Sequence, residues 1–205
     1  MTSKGLRILL LTGGVLAASA CSKADNVSGT AGNTSAAETN ATNSTASAGD
    51  PISSAESAAP AAIAHNASVA TIDAQGTMTT VRKGTNGWTC IPDAPDTPGP
   101  DPMCFDQNAG KWVDAWAHHK SPPEGATGLM YMLEGGTDAS NTDPYATKPT
   151  AENDWVKTGP HIMVVGSKDI LTGHPAGAKP DTAAPYVMWA NTPYAHLMIP
   201  VGKGS

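Results

Sequence analysis

The stretch that decides the fold runs from Leu129 to Gly166 and opens with the sequence LMYMLE at residues 129–134. A Gly-Gly pair ends this apolar run, a polar loop follows it, and a second apolar run, HIMVV, begins at His161. Short apolar runs with alternating side chains, separated by turn residues, are typical of paired β-strands. The stretch therefore predicts two strands of one sheet, joined by a polar loop.

Side chains in a strand point alternately to the two faces of a sheet, so this pattern predicts two chemically different faces. The two methionines of the first strand share a face, and His161 shares a face with Met163 in the second. The segment AHLMIP near the C-terminus repeats the His-x-Met pattern with His196 and Met198. We expect one aliphatic face and one face enriched in methionine and histidine.

Upstream of this stretch, the sequence predicts a hairpin and a helix. Alternating residues flank the turn AQG, in which Gly76 supplies the positive φ of a hairpin connection. The spacing of apolar residues from Asp106 to His119 predicts a helix that packs on the sheet through Trp112 and Trp116. These elements predict an α+β domain with a mainly antiparallel β-sheet, one packed helix and long Pro/Gly-rich loops.

The N-terminus predicts an export signal followed by a lipid anchor. Lys4 and Arg7 precede a short apolar run and then small residues, which is the layout of a signal peptide over residues 1–20. Cys21 follows directly, and ASAC resembles the lipobox of bacterial lipoproteins, so we expect Cys21 to be lipidated. The acyl chains would anchor the exported protein to a membrane, so that its domain lies in the periplasm or cell envelope. Ordinary cleavage that leaves the Cys21 thiol free is the alternative.

Residues 21–62 are predicted to form a flexible tether, and residues 63–205 a single globular domain. The tether is rich in Ala, Ser, Thr and Asn and has no periodic apolar pattern, so it cannot bury enough surface to offset its ordering entropy. The whole chain has a net charge of −6, which excludes the basic footprint of a nucleic-acid-binding protein. The expected partners are the membrane and an unidentified envelope ligand or protein.

Cys90 and Cys104 form an even pair in the exported domain, which favours a disulfide. The bond would pin both ends of the proline-rich loop between the two cysteines. In the chain-entropy model a disulfide that closes a loop of this size stabilises the fold by about 3 kcal/mol. A metal site on these cysteines is disfavoured because no further Cys or His lies close by in the sequence.

The face enriched in methionine and histidine is the first candidate site. Imidazole and thioether together suit copper, with thioether selecting the reduced ion. If their strands are neighbours, His161, Met163, His196 and Met198 would form a four-ligand copper site. The alternative is that methionine serves as a flexible core filler, and that the helix buries this face. The sequence favours a domain without a cofactor, and copper is the alternative.

The polar loop after Gly136 is the second candidate site, and a ligand or partner would contact its polar residues. These residues are Asp138, Ser140, Asn141, Asp143 and Tyr145. Several carry hard oxygen atoms, as a calcium loop requires, but the spacing does not match an EF-hand and the bidentate Glu is missing. Asx residues also form turns by bonding their own backbone, so an ordered structural loop is the alternative.

Ser140, His161 and either Asp138 or Asp143 are the residue types of a catalytic triad, so a hydrolase is a third interpretation. Ser140 does not lie in a Gly-x-Ser-x-Gly elbow, however, and no P-loop, dinucleotide fingerprint or metalloprotease helix is present. The sequence therefore favours a non-enzymatic cell-envelope lipoprotein domain that binds a ligand or partner at the loop. A periplasmic copper-binding protein is the alternative.

Several blocks of this sequence resemble the signature blocks of a family of exported bacterial proteins that has no assigned activity. The blocks are NGWTC at 86–90, PMC at 102–104, GGTDASNTDPY at 135–145, GPH at 159–161 and PYAHLMIP at 193–200. The resemblance covers nearly the whole domain from about Ser68 onward. It implies one recurring domain and carries no activity.

Overall fold

The computed structural model describes residues 50–97, 99–137 and 139–202. The predicted signal peptide, Cys21 and most of the predicted tether lie outside the described residues, and so does Asp138. Within these three ranges, no helix has the length and apolar character needed to cross a membrane.

Ten short strands carry most of the regular structure in the part of the chain that is described. They are β1 (Ser68–Ile72), β2 (Met78–Arg82), β3 (Thr89–Ile91), β4 (Met103–Phe105), β5 (Gly128–Met132), β6 (Ala139–Ser140), β7 (Trp155–Val156), β8 (His161–Val165), β9 (Tyr186–Met188) and β10 (His196–Pro200). Eight of them form one sheet in the order β2-β1-β3-β4-β5-β8-β10-β9, and β6 pairs with β7. All neighbours in the large sheet are antiparallel except β1 and β3. The predicted α+β fold with a mainly antiparallel sheet is confirmed.

Between residues 50 and 202, three α-helices are described on this sheet, and the longest of them is the one that the sequence predicts. The helices are α1 (Pro51–Glu56), α2 (Ala61–Ala64) and α3 (Gln107–Ala117), and a 3-10 helix lies at Asp169–Leu171. Asp106 caps α3 by accepting a hydrogen bond from the backbone N–H of Ala109 at 2.8 Å. The other oxygen of the same carboxylate accepts from the N–H of Leu129 at 3.0 Å, so the cap also fastens α3 to β5.

The helices α1 and α2 lie on the opposite face of the sheet. The prediction of a flexible tether is therefore wrong for the part of residues 21–62 that these helices occupy. Residues 21–62 were expected to be flexible, yet the domain already begins near Asp50, and Ala55, Ala58 and Ala64 are fully buried. Small side chains let these helices approach the sheet closely, although their composition is also that of a flexible linker. The guanidinium of Arg82 completes the contact by bonding Glu56 and two backbone carbonyls in and after α2.

The predicted disulfide and hairpin are confirmed. Cys90 and Cys104 are bonded, fully buried and directly opposite each other on β3 and β4, so they close the proline-rich loop between these strands. Within the loop, the carboxylate of Asp93 accepts a hydrogen bond from the backbone N–H of Asp101 at 2.8 Å. The carboxylate of Asp101 accepts one from the N–H of Ala94 at 2.9 Å. Gly76 has a φ of 82° in the turn between β1 and β2.

Gly128 in β5 allows α3 to pack against the sheet, and this close approach is testable. A Cβ atom at this position would lie 2.2 Å from the backbone nitrogen of Ala109 in α3. We expect Gly128→Ala to lower the free energy of unfolding by about 1–3 kcal/mol, because the helix must move away. Gly177→Ala, where nothing lies within 4 Å of the added atom, is the matched control. Urea midpoints that are equal for the two variants would contradict this account of the packing.

Candidate functional site

The register of the central strands places methionines side by side on the face below α3. Met163 of β8 is directly opposite Met130 of β5 on one side and Met198 of β10 on the other. Directly opposed residues have Cβ atoms about 4.5–5.5 Å apart. Three thioethers therefore lie in one row across three neighbouring strands.

One histidine lies on each side of this row, two residues along its strand from the row, and each stands directly opposite another methionine. His161 is opposite Met132 of β5, and His196 is opposite Met188 of β9. Both His-x-Met segments are strands that present their His and Met on one face, as the sequence predicts. His161 is opposite Pro200, so the two histidines are offset by four residues, or roughly 13 Å along the strands.

A cavity of about 520 Å³ lies between α3 and this face of the sheet. Its lining contains six methionines, four tryptophans, two histidines and three aspartates. The strand residues His161, Met163, His196 and Met198 all take part. From the polar loop, Ser140 and Asp143 also line the cavity, so the structure joins the two candidate sites into one.

Both histidines are held in the same way by the backbone two residues before them. The Nδ1 atom of His161 lies 2.7 Å from the carbonyl oxygen of Gly159, and that of His196 lies 2.9 Å from the carbonyl oxygen of Tyr194. A carbonyl can only accept, so these contacts assign the proton to Nδ1 and a lone pair to Nε2 in each ring. His196 is 1% exposed, and its Nε2 has no hydrogen-bond partner within the described part of the chain.

Burial keeps both imidazoles uncharged at neutral pH. Burial lowers the pKa of His196 from 6.5 to about 4, because it outweighs the opposing effect of the hydrogen bond to the Tyr194 carbonyl. Burial also lowers the pKa of His161. The lone pairs on the two Nε2 atoms are therefore free of protons and can accept a hydrogen bond or bind a metal ion.

Indole rings surround His196 and fasten the polar loop over the cavity. The ring centroid of His196 is 5.4 Å from that of Trp112 and 5.0 Å from that of Trp189, with the rings edge to face. The indole N–H of Trp189 donates to the backbone oxygen of Ser140 at 2.8 Å, and that of Trp116 donates to the backbone oxygen of Pro144 at 3.2 Å. The loop is thus tied to the cavity wall at two points.

The polar side chains of the loop mostly bond backbone groups of the loop itself and of neighbouring segments. The hydroxyl of Ser140 donates to the backbone oxygen of Asn153 and accepts from the N–H groups of Thr142 and Asp143. The amide of Asn141 donates to two backbone carbonyls at 3.0 Å, those of residues 177 and 178. Ser140 is 2% exposed and bonds no histidine among the described residues, so the proposed triad gains no support.

Tyr145 lies on the outer surface rather than in the cavity. Its ring stacks on His119 with centroids 3.9 Å apart, and its hydroxyl donates to the backbone oxygen of Trp116 at 3.1 Å. Asp143 accepts from the N–H of Tyr145 at 2.9 Å, which is the local turn expected of an Asx residue. Across the described ranges, no group of three or more His, Cys, Asp and Glu could hold a metal ion, so a calcium loop gains no support.

Sequence reasoning missed Met132 and Met188, the residues directly opposite the two histidines. It grouped each histidine with the methionine two residues along its own strand, because the pairing register cannot be read from one sequence. Their alternation with aliphatic neighbours was the only available signal. Comparison with family models, curated proteins and solved structures found no match to this chain. The resemblance to a family of exported proteins therefore stays a prediction.

The buried histidines predict a loss of stability in mild acid. In the unfolded chain His196 titrates near 6.5 and in the fold near 4, so between these values the unfolded state binds more protons. The stabilisation is complete above pH 6.5 and is lost as the pH falls towards 4, by an amount on the order of 3 kcal/mol. Urea unfolding from pH 7 to 4 should show this fall, and His196→Asn should reduce it. An equal fall in His196→Asn and in the half-buried control His174→Asn would refute the assignment.

Proposed function

We propose that this chain is a non-enzymatic, lipid-anchored cell-envelope domain that binds its ligand in the cavity between α3 and the sheet. The observation that carries the proposal is the cavity itself, which brings the polar loop and the face enriched in methionine and histidine together. Its volume of about 520 Å³ is in the range of small-ligand sites, which are mostly apolar with a few convergent polar groups.

Two unpartnered polar atoms on the cavity wall support binding at this place. The indole N–H of Trp112 and the Nε2 of His196 are buried and have no hydrogen-bond partner among the residues described. A buried polar group without a partner costs about 1–3 kcal/mol, so a ligand that supplies the missing bonds is favoured. A larger groove of about 760 Å³ lies on the other side of α3, but it is open and its lining includes Lys111 and Lys120.

Binding rather than catalysis fits the polar groups around the cavity. Ser140 is the serine expected to act as a nucleophile, and its hydroxyl is committed to three backbone groups. The imidazoles are fixed by backbone carbonyls and uncharged, which makes them steady acceptors or ligands. The cavity offers a ligand a mostly apolar lining and one buried acceptor, the Nε2 of His196.

Copper is the second candidate ligand, as the His-x-Met pattern predicts. The specific observation in its favour is that His161, Met163, His196 and Met198 all line one buried cavity, with both imidazoles unprotonated at Nε2. Thioether and imidazole form a donor set that selects reduced copper over harder ions.

The cavity is tested with the neutral fluorescent probe N-phenyl-1-naphthylamine. We expect saturable binding at one site and a loss of affinity of about tenfold or more in Ala139→Phe, because the larger side chain projects from the loop into the cavity. Ala183→Phe, at an exposed loop position, is the matched control and should bind like the wild type. Displacement of the probe by copper(I) would support the second candidate. Equal binding by both variants, or the absence of both probe and copper(I) binding, would reject the cavity as the site.

A further inference from the structure

We propose that the cavity binds two copper(I) ions, one on each side of the methionine row along the strand direction. Each ion is held by one histidine and the methionine directly opposite it on the neighbouring strand. The two pairs are His161 with Met132, and His196 with Met188. This inference rests on the proposed function, because it names the ligand of the same cavity.

The strand register favours two positions over a single four-ligand site. Within each pair the side chains project from Cβ atoms about 4.5–5.5 Å apart, so imidazole and thioether reach a common ion. The histidines of the two pairs are four residues apart in register, roughly 13 Å along the strands. Met163 and Met198 lie between the pairs, each two residues from the histidine of its own strand, and supply a further thioether to each position.

The two histidines are prepared as metal ligands in the same manner. Metal-binding histidines usually donate the N–H of their second ring nitrogen to a carboxylate or a backbone carbonyl, which fixes the tautomer and the ring. His161 and His196 each do this with the carbonyl two residues before them, at 2.7 and 2.9 Å. The Nε2 of His196 is then left in a buried position without a partner in the described ranges. A metal ion satisfies this lone pair without the loss of a proton.

The donor set selects a soft monovalent ion. Zinc and calcium need clusters of Cys, His or carboxylate ligands, and the residues that the structure describes form no such cluster of three. Thioether and imidazole are neutral, so each copper(I) keeps its positive charge. The described lining of the cavity contains no Lys or Arg, whereas Asp96, Asp101 and Asp143 lie along it, and the indoles of Trp112 and Trp189 flank His196. Carboxylates and indole faces both stabilise a cation.

A purely structural role explains this face less well. Methionine can fill gaps in a core. That role does not explain why two imidazoles are buried among the thioethers. A buried histidine whose Nε2 has no hydrogen-bond partner lowers the stability of the core, because the desolvation of that atom is not compensated. The same His–Met pair occurs twice, on different strands, with the same backbone bond to the histidine. This repetition points to two equivalent binding positions.

The test is an anaerobic titration of the full chain with copper(I), in competition with the chromogenic chelator bicinchoninate. The wild type should withdraw two equivalents. Met132→Leu and Met188→Leu conserve side-chain volume and should each retain one equivalent, with the other bound at least tenfold more weakly. The double variant should retain none. Met78→Leu, in β2 outside the cavity lining, is the matched control and should retain two.

Withdrawal of no copper or of one equivalent by the wild type would overturn the inference, and so would loss of both equivalents in either single variant. Unchanged stoichiometry in the double variant would also overturn it. His161→Asn and His196→Asn provide a second pair of variants, because asparagine can keep the bond to the backbone carbonyl while removing Nε2. Binding of N-phenyl-1-naphthylamine separates the two proposals. Probe binding without copper binding defeats this inference alone, and the absence of both defeats the proposed function as well.

Discussion

The pairing of β8 with β5 on one side and β10 on the other is the constraint on which the rest of the structure depends. It aligns Met130, Met163 and Met198 in one row and sets His161 opposite Met132 on one side of that row. The pairing of β10 with β9 then sets His196 opposite Met188 on the other side. Because side chains alternate between faces, a slip of one residue in β8 would turn His161 and Met163 to the opposite face. The chemistry of the cavity is therefore a consequence of strand register.

The second requirement is that α3 covers this face without filling the space beneath it. Gly128 lets one part of the helix approach β5 closely, and the Asp106 carboxylate joins the helix start to the same strand. Farther along, Trp112 and Trp116 pack through their rings against Trp189, at 6.0 and 5.9 Å between centroids. These bulky rings hold the helix and the polar loop apart from the sheet, and the cavity lies between them.

Much of the fold could be predicted from the sequence, because it rests on local patterns. Alternation identified the strands at Leu129 and His161, Asp106 marked the start of the helix, and the lone cysteine pair indicated the disulfide. The helices α1 and α2 could not be predicted, because alanine-rich segments resemble linkers until the surface that they cover is known.

The site shows the same division between local and long-range information. Strand periodicity predicted which side chains share a face, and therefore placed both His-x-Met segments correctly on one side of the sheet. Which residue stands opposite each histidine depends on pairing between strands that are distant in sequence, so Met132 and Met188 escaped notice. The union of the polar loop with this face likewise depends on a hydrogen bond from Trp189 to Ser140, 49 residues apart.

The most direct test of the central claim is an NMR spectrum of protein labelled with ¹³C at the methionine methyl groups, recorded during titration with silver(I) as a stable substitute for copper(I). The account predicts that the methyl resonances of Met130, Met132, Met163, Met188 and Met198 shift, while that of Met78 stays in place. Shifts confined to Met78, or no shift in those five methionines, would contradict it.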